Sequence, residues 1–247
     1  GHGAGSACGK NMSKETIGSI GHEKATNYAL RADMTKQEFV QEVTDGILPP
    51  PAYFPDNVRL NKQGYNPEND NIAKANISLS VEEFKAKSVL EGVIVLDVRD
   101  AADFVNGFIP NSIFIGIDGD FAPWVGTIIK KVETPILLVC DKDRLEEVAI
   151  RLSRVGFDNV LGHLKGEIKA WEQNTGELHI INSISPNKFE SIYSENIEIR
   201  VVDVRKSSEY LSEHMMGAVN TPLSILDEDS SKIIMGNENY IHCAGGY

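Results

Sequence analysis

The chain of 247 residues has few cysteines, no long apolar run and no excess of positive charge. Each of these absences excludes a class of protein. Its three cysteines are too few and too widely spaced for a disulfide framework, which favours a reducing cytoplasm. No apolar run approaches the ~18 to 20 residues of a membrane span, and no signal peptide opens the chain. The net charge of -12 argues against a nucleic-acid partner, which needs clustered Lys and Arg. We therefore expect a soluble, cytoplasmic protein with neither a membrane nor a nucleic-acid partner.

The N-terminal part carries helix signals between glycine-rich and proline-rich stretches. Ser13 can cap one helix, and Thr35 with Glu38 forms a capping box for a second helix that ends at Gly46. Residues 55–76 are rich in Asn, Pro, Asp and Lys, which predicts a linker. The chain starts without an initiator Met and without a strand, so we expect it to be a piece of a larger protein.

From residue 77 onward, apolar strand-like runs alternate with helical patterns. Residues 93–98 and 136–140 are continuous apolar runs of the kind found in buried parallel strands. Apolar residues at helical spacing follow between 145 and 155, and residues 159–161 begin a further strand. The strand–helix–strand order predicts an α/β fold with a mostly parallel sheet flanked by helices.

The chain then repeats itself. Residues 95–99, VLDVR, return as residues 201–205, VVDVR, and the strand that ends at Cys140 matches the strand that ends at Cys243. Two copies of one α/β unit therefore follow the N-terminal segment. The second copy is expected to be truncated, because the chain stops at Tyr247.

The last nine residues hold the strongest candidate for chemistry. A short apolar strand leads to Cys243, and the small residues Ala244, Gly245 and Gly246 follow it. Such a loop can turn its backbone N–H groups toward the sulfur and favour the thiolate, the reactive form of cysteine. Strand alternation places His242 on the opposite face from the cysteine.

Cys140 is the contrasting case. The sequence DKDRLEE follows it, with no glycine to let the backbone fold around the sulfur and with carboxylates that disfavour a thiolate. We expect Cys140 to be inert. The Asp-x-Arg pairs at strand ends, Asp97 with Arg99 and Asp203 with Arg205, are expected to form structural ion pairs or loop clamps, with Glu209 as one partner of Arg205.

The residues that carry a family resemblance are DVRKSSEYLSEHMMGAVNTPL and YIHCAGGY in the second copy. They resemble a rhodanese domain, although Glu213 stands where that family usually has Gly; the first copy resembles it through DVR, Phe104 and GFIPNS. The N-terminal GHGAGSACGK and ILPPPAYFP look like the end of a metallo-β-lactamase fold of the persulfide dioxygenase type. This implies tandem rhodanese-like domains after the C-terminal segment of a metallo-β-lactamase fold.

The resemblance implies three parts of the chain. Residues 1–70 would be the metallo-β-lactamase segment with the linker, residues 75–177 an inactive rhodanese-like domain, and residues 178–247 a truncated rhodanese domain. The last part would transfer sulfane sulfur among small compounds such as persulfides, thiosulfate, sulfite and thiols, as a monomer or homo-oligomer. Its implied site is Cys243 as nucleophile, the anion-binding loop Ala244, Gly245, Gly246 and Tyr247, and the supporting residues Asp203, Arg205 and His214.

The resemblance places a metal only in sequence outside this chain. Iron, or alternatively zinc, would occupy the remainder of the metallo-β-lactamase fold, with His2 beside the ligands or as one of them. We expect no cofactor in the chain itself, because one His cannot hold a metal. The family's Arg after the cysteine would lie beyond Tyr247, so we also expect the chain by itself to have little sulfurtransferase activity.

The sequence allows two other hypotheses for the function. The first is a binding or scaffold module, because rhodanese folds without the cysteine occur as regulatory domains. The second is a fusion to a thioester hydrolase of the glyoxalase II type. The reactivity of Cys243 would distinguish a binding module from a sulfurtransferase. The metal of the intact protein, iron or zinc, would distinguish a persulfide dioxygenase from a thioester hydrolase.

Overall fold

The computed structural model describes residues 17–45, 53–196, 199–226, 233 and 238–245. Contacts divide the chain into two compact units, residues 1–50 and 51–247. The described part of the first unit contains helix α1 (Ile20–Thr26), a short 3₁₀ turn and helix α2 (Lys36–Thr44). The capping box of Thr35 and Glu38 is present as predicted. Helix α1 is capped by Ser19 and starts later than expected, whereas Ser13, Gly46 and Cys8 lie outside the described residues.

The second unit contains a five-stranded sheet built from the first repeat. Its strands are β1 (Ser78–Leu79), β2 (Ile94–Asp97), β3 (Ile113–Phe114), β4 (Ile136–Val139) and β5 (Val160–Leu164). They lie in the order β1-β5-β4-β2-β3, and all neighbours are parallel. Every residue of β4 is buried, as the continuous apolar run predicts.

Helices cover both faces of this sheet. They are α5 (Val81–Ser88), α6 (Ala101–Asn106), α7 (Phe121–Ile128), α8 (Leu145–Ser153) and α9 (Glu167–Thr175). One apolar core joins alternate strand residues to α7 and α8, and the other joins the remaining strand residues to α5 and α9. The predicted α/β fold with a parallel sheet flanked by helices is confirmed.

The prediction of a linker over residues 55–76 is wrong. This stretch forms α3 (Phe54–Gln63) and α4 (Glu68–Ala75), and it packs on the first repeat. Tyr53 and Ala75 belong to the same buried cluster as α7 and α8. The buried Asn71 donates hydrogen bonds to Ser153 Oγ at 3.0 Å and to Asp158 Oδ1 at 2.7 Å. These contacts make the stretch part of the folded unit.

A smaller sheet follows in the second repeat. Its elements are α10 (Pro186–Glu195), β6 (Arg200–Asp203), α11 (Ser207–Ser212), β7 (Val219–Asn220) and β8 (Asn239–His242). The parallel order β7-β6-β8 repeats the order β3-β2-β4 of the larger sheet. In the described part of the chain, no helix is both long and apolar enough to cross a bilayer. The domain boundaries at 70, 75, 177 and 178 stay predictions.

Candidate functional site

Cys243 lies directly after the last residue of β8, at the carboxyl end of the small parallel sheet. Its strand pairs with β6 in a register that sets His242 opposite Asp203. The side chain is half-buried, and Ala244 and Gly245 form a bend immediately after it. The other two predicted loop residues, Gly246 and Tyr247, lie outside the described residues. The carboxyl end of a parallel sheet is where α/β folds build their sites.

An aspartate–arginine clamp supports the strand next to Cys243. Asp203 is fully buried and accepts hydrogen bonds from Arg205 Nη2 at 2.6 Å and Nε at 3.0 Å. The guanidinium also donates to the carbonyl oxygen of Glu213 at 2.9 Å, which closes the intervening segment. The expected partner Glu209 is not the partner of Arg205; its carboxylate accepts instead from the backbone N–H of Lys206. Glu209 caps the start of α11 because the backbone N–H of Lys206 lies only three residues before it.

The first repeat contains the same clamp. Arg99 Nη2 lies 2.7 Å from Asp97 Oδ2 and 2.8 Å from the carbonyl oxygen of Gly107. Gly107 and Glu213 occupy equivalent positions, and both have extended backbone, with φ of 170° and -161°. Any residue can adopt that conformation, so neither position requires Gly. The shared geometry supports the expectation that the pairs hold the fold.

The two aspartates differ in their electrostatic setting. Burial raises the pKa of Asp97 and outweighs the hydrogen bonds from Arg99, which lower it. For Asp203 burial also acts to raise the pKa, but the hydrogen bonds from Arg205 and the charge of His242 leave it lowered. The cause is solvent access: the side chain of Arg205 is 21% exposed, against 5% for Arg99. The second clamp is therefore more exposed to solvent than the first.

Cys140 lies directly after β4, as Cys243 lies directly after β8, but Cys140 is buried. Burial, and next the charge of Asp141, raise the pKa of its thiol to about 12. The sequence predicted the direction from the carboxylates, yet burial is the larger cause. The thiol remains protonated and shielded at neutral pH, so a nucleophilic role for Cys140 has no support in the structure.

The segment after Cys140 closes over that strand end. Residues 142–144 form a 3₁₀ turn that leads directly into α8. Arg144 is held by Asp118 in two hydrogen bonds of 2.8 Å and by Glu147 at 2.8 Å. A cation that could face an anionic ligand is thus already paired with carboxylates.

His214 follows α11 and contacts Tyr210 of that helix. Its ring stacks on Tyr210 with a centroid distance of 3.9 Å, and its Nδ1 lies 2.7 Å from the carbonyl oxygen of Tyr210. Tyr210 in turn donates its hydroxyl to the carbonyl of Ala218 at 2.7 Å. These contacts order the segment between α11 and β7. A supporting role for His214 at the sulfur stays a prediction.

His242 is the residue that sequence reasoning missed. Its Nε2 lies 3.6 Å from Oδ2 of Asp203, its register partner on β6. The available signal was the register: matching the two repeats would have set a histidine beside an aspartate where the first repeat has Val139 beside Asp97.

The predicted metal residue cannot be placed. His2 lies outside the described residues, and within those described no group of three or more His, Cys, Asp or Glu side chains could hold a metal ion. The iron or zinc of the metallo-β-lactamase fold therefore stays a prediction about the intact protein.

The comparisons with known proteins agree with this architecture. The family model of the rhodanese-like domain matches residues 80–174, a stretch that contains most of the first repeat. A solved rhodanese-like domain of a protein from Anabaena sp. is 25% identical, with a TM-score of 0.35 over 44% of this chain and 83% of that chain. No curated protein sequence matches the chain.

Two further solved structures are similar over longer stretches. A metallo-β-lactamase from Staphylococcus aureus is 23% identical, with a TM-score of 0.47 over 67% of this chain and 44% of that chain. A thiosulfate sulfurtransferase from Pseudomonas aeruginosa is 18% identical, with a TM-score of 0.36 over 72% of this chain and 40% of that chain.

Proposed function

We propose that the second repeat transfers sulfane sulfur through a persulfide on Cys243. The observation that carries this proposal is the shared frame of the two repeats: strand order, register and clamp coincide, and the first repeat matches the rhodanese-like domain. Within that frame Cys243 takes the strand-end position and is half-buried, whereas Cys140 is buried. A nucleophilic cysteine must be reachable by its sulfur donor, and of the two only Cys243 meets that condition.

The chemistry needs two displacements at sulfur. The Cys243 thiolate attacks the sulfane sulfur of a donor such as thiosulfate; an S–S bond forms, the bond to sulfite breaks, and the electron pair leaves with sulfite. An acceptor thiolate or cyanide then attacks the outer sulfur of the persulfide. The bond to that sulfur forms, the S–S bond breaks, and the thiolate of Cys243 is regenerated.

The chain around Cys243 would bind the anionic donor and the persulfide. Backbone N–H groups of Ala244 and Gly245, and of Gly246 and Tyr247 after them, are the donors proposed for this role. Asp203 and Arg205 would act indirectly, because they hold β6 and thereby the neighbouring strand that ends at the sulfur. The substrates proposed are persulfides, thiosulfate, sulfite and thiols.

We further propose that the intact protein couples this transfer to persulfide oxidation. A metallo-β-lactamase-fold domain of the persulfide dioxygenase type would use iron and oxygen to form sulfite, which the Cys243 site would join to a sulfane sulfur or release from it. Support comes from the N-terminal resemblance alone. Zinc in the purified intact protein would instead indicate the thioester hydrolase.

Replacing Cys243 by Ser in the intact protein tests the sulfur-transfer proposal. Thiocyanate formation from thiosulfate and cyanide should be abolished, while oxygen consumption with a persulfide substrate should continue. Cys140→Ser is the matched control and should leave the transfer rate unchanged, because Cys140 is buried in the first repeat. Sulfur transfer that persists in the Cys243→Ser variant would refute the assignment. The same assay on the chain that ends at Tyr247 tests the expected low activity of the chain itself.

A binding or scaffold module is the second candidate for the first repeat. The sealed Cys140 and the paired Arg144 favour it, because they retain the fold while they remove the requirements of sulfur transfer. Mass spectrometry after treatment with a sulfane donor tests this, using the Cys243→Ser variant. A persulfide on Cys140 in the folded protein would refute it.

A further inference from the structure

The residue that precedes the strand-end cysteine differs between the two repeats. In the first repeat Val139 pairs with Asp97, and in the second His242 pairs with Asp203 in the same register. Val139 is fully buried, whereas the side chain of His242 is 37% exposed. Because both aspartates are clamped by arginine in the same way, the imidazole is an additional polar group beside the second clamp.

The position of the ring defines which nitrogen carries hydrogen. His242 Nε2 is buried, 3.6 Å from Asp203 Oδ2, and has no hydrogen-bond partner among the described residues. A bare lone pair at Nε2 would face a carboxylate and be repelled, so Nε2 must carry a proton. At 3.6 Å this N–H lies beyond hydrogen-bond distance of Asp203 Oδ2, so its attraction to the carboxylate is electrostatic.

We propose that His242 is a positioning residue whose Nε2–H is directed to Asp203 and fixes the strand end that carries Cys243. The backbone already joins the strands here, because Val204 N–H donates to the carbonyl of His242 at 3.0 Å. The equivalent bond from Val98 to Val139 is also 3.0 Å, so the first repeat has the backbone contact alone. In the second repeat the attraction between Nε2–H and Asp203 adds to this backbone hydrogen bond, and Cys243 is one peptide bond away.

The proposal rests on the proposed function only in taking Cys243 as the sulfur carrier. A displaced nucleophile reacts more slowly, and a shift of about 1 Å can cost ~100-fold. The ring therefore acts on sulfur transfer through its neighbour and does not touch the substrate.

Two variants of similar length separate the N–H from the bulk of the side chain. His242→Gln keeps an N–H donor near the position of Nε2, whereas His242→Met removes the donor. If His242→Met fails to fold, His242→Val, which copies the first repeat, serves as the donor-free variant. Ile241→Val on the same strand is the control, because Ile241 is 59% exposed. The rates of Cys243 alkylation by iodoacetamide and of persulfide formation from thiosulfate are measured by mass spectrometry, with urea midpoints recorded for each variant.

We expect both rates to fall roughly tenfold in the donor-free variant and to return to within about twofold of the original in His242→Gln, at similar midpoints. Unchanged rates without the donor, or a His242→Gln variant as slow as His242→Met, would overturn the proposal. If the unaltered intact protein forms no persulfide on Cys243, sulfur transfer through this residue is refuted. The alkylation rates still decide the role of His242 in that case.

Discussion

Substituting Gly126 by Ala should destabilise the second unit, although alanine favours helices. Gly126 lies in α7 beneath the ring of Tyr53, the residue that starts the α3–α4 segment. A Cβ at Gly126 would lie 2.0 Å from Tyr53 Cδ1 and 2.2 Å from Cε1. Carbon atoms pack at about 3.5 to 4 Å, so the ring or the helix must move.

Two opposing terms set the size of the effect. Replacing a helical glycine by alanine gains about 0.5–1 kcal/mol, and overpacking a core costs about 1–3 kcal/mol. The overlap with two ring atoms favours the upper end, which gives a net loss of about 1–2 kcal/mol for Gly126→Ala. Tyr53→Ala alone should cost about 3–5 kcal/mol, but once the ring is absent Gly126→Ala should stabilise by about 0.5–1 kcal/mol.

Urea unfolding of the four proteins in this cycle measures the coupling, with the fluorescence of the buried Trp171 as signal. The interaction energy should be about 1.5–3 kcal/mol. If Gly126→Ala stabilises the protein while Tyr53 is present, Tyr53 does not cover α7. Tyr53 would then not belong to the buried cluster that contains α7 and α8.

Three further outcomes are expected. In the folded protein at about pH 8, iodoacetamide should modify Cys243 and spare Cys140, whose thiol pKa of about 12 leaves almost no thiolate; equal labelling in a peptide map would contradict this. Arg99→Ala should cost about 3–5 kcal/mol in urea unfolding, since it leaves the buried Asp97 unpaired; a loss below about 1 kcal/mol would disprove the clamp. The pKa of Asp203 is lowered in the folded state, so its stabilising contribution is complete above about pH 4 and is lost as the pH falls through the folded value. The stability difference from Asp203→Asn should shrink accordingly below about pH 4, and a difference that stays constant with pH would oppose this reasoning.

The sheet could be predicted because its signals are local. Four apolar residues in a row at 136–139 leave no polar face, so the strand must be buried on both sides. Because the second repeat matches the first in sequence, the same kind of signal predicted the smaller sheet. The clamp could be predicted only in part: the Asp-x-Arg spacing indicates a pair, but the main-chain turn after Asp203 returns Arg205 to that carboxylate and leaves Glu209 to cap its own helix.

The composition of residues 55–76 led to the wrong prediction of a linker, because composition gives buried and exposed residues equal weight. Most side chains of α3 and α4 face solvent, and their Asn, Asp and Lys content resembles a linker. The contacts that fix the segment come from a few residues, namely Tyr53, Asn71 and Ala75. Their partners lie far along the chain, so no window of sequence contains both sides of the contact.

The two repeats limit which features can account for reactivity. The arginine-to-aspartate distance is 2.7 Å in the first repeat and 2.6 Å in the second, and the arginine-to-carbonyl distance is 2.8 Å and 2.9 Å. Clamps with nearly equal hydrogen-bond lengths beside a buried cysteine and beside a half-buried one do not distinguish the two cysteines. The cause must lie in the residues on either side of the sulfur. Those are Val139 against His242 before it, and Asp141 against Ala244 after it.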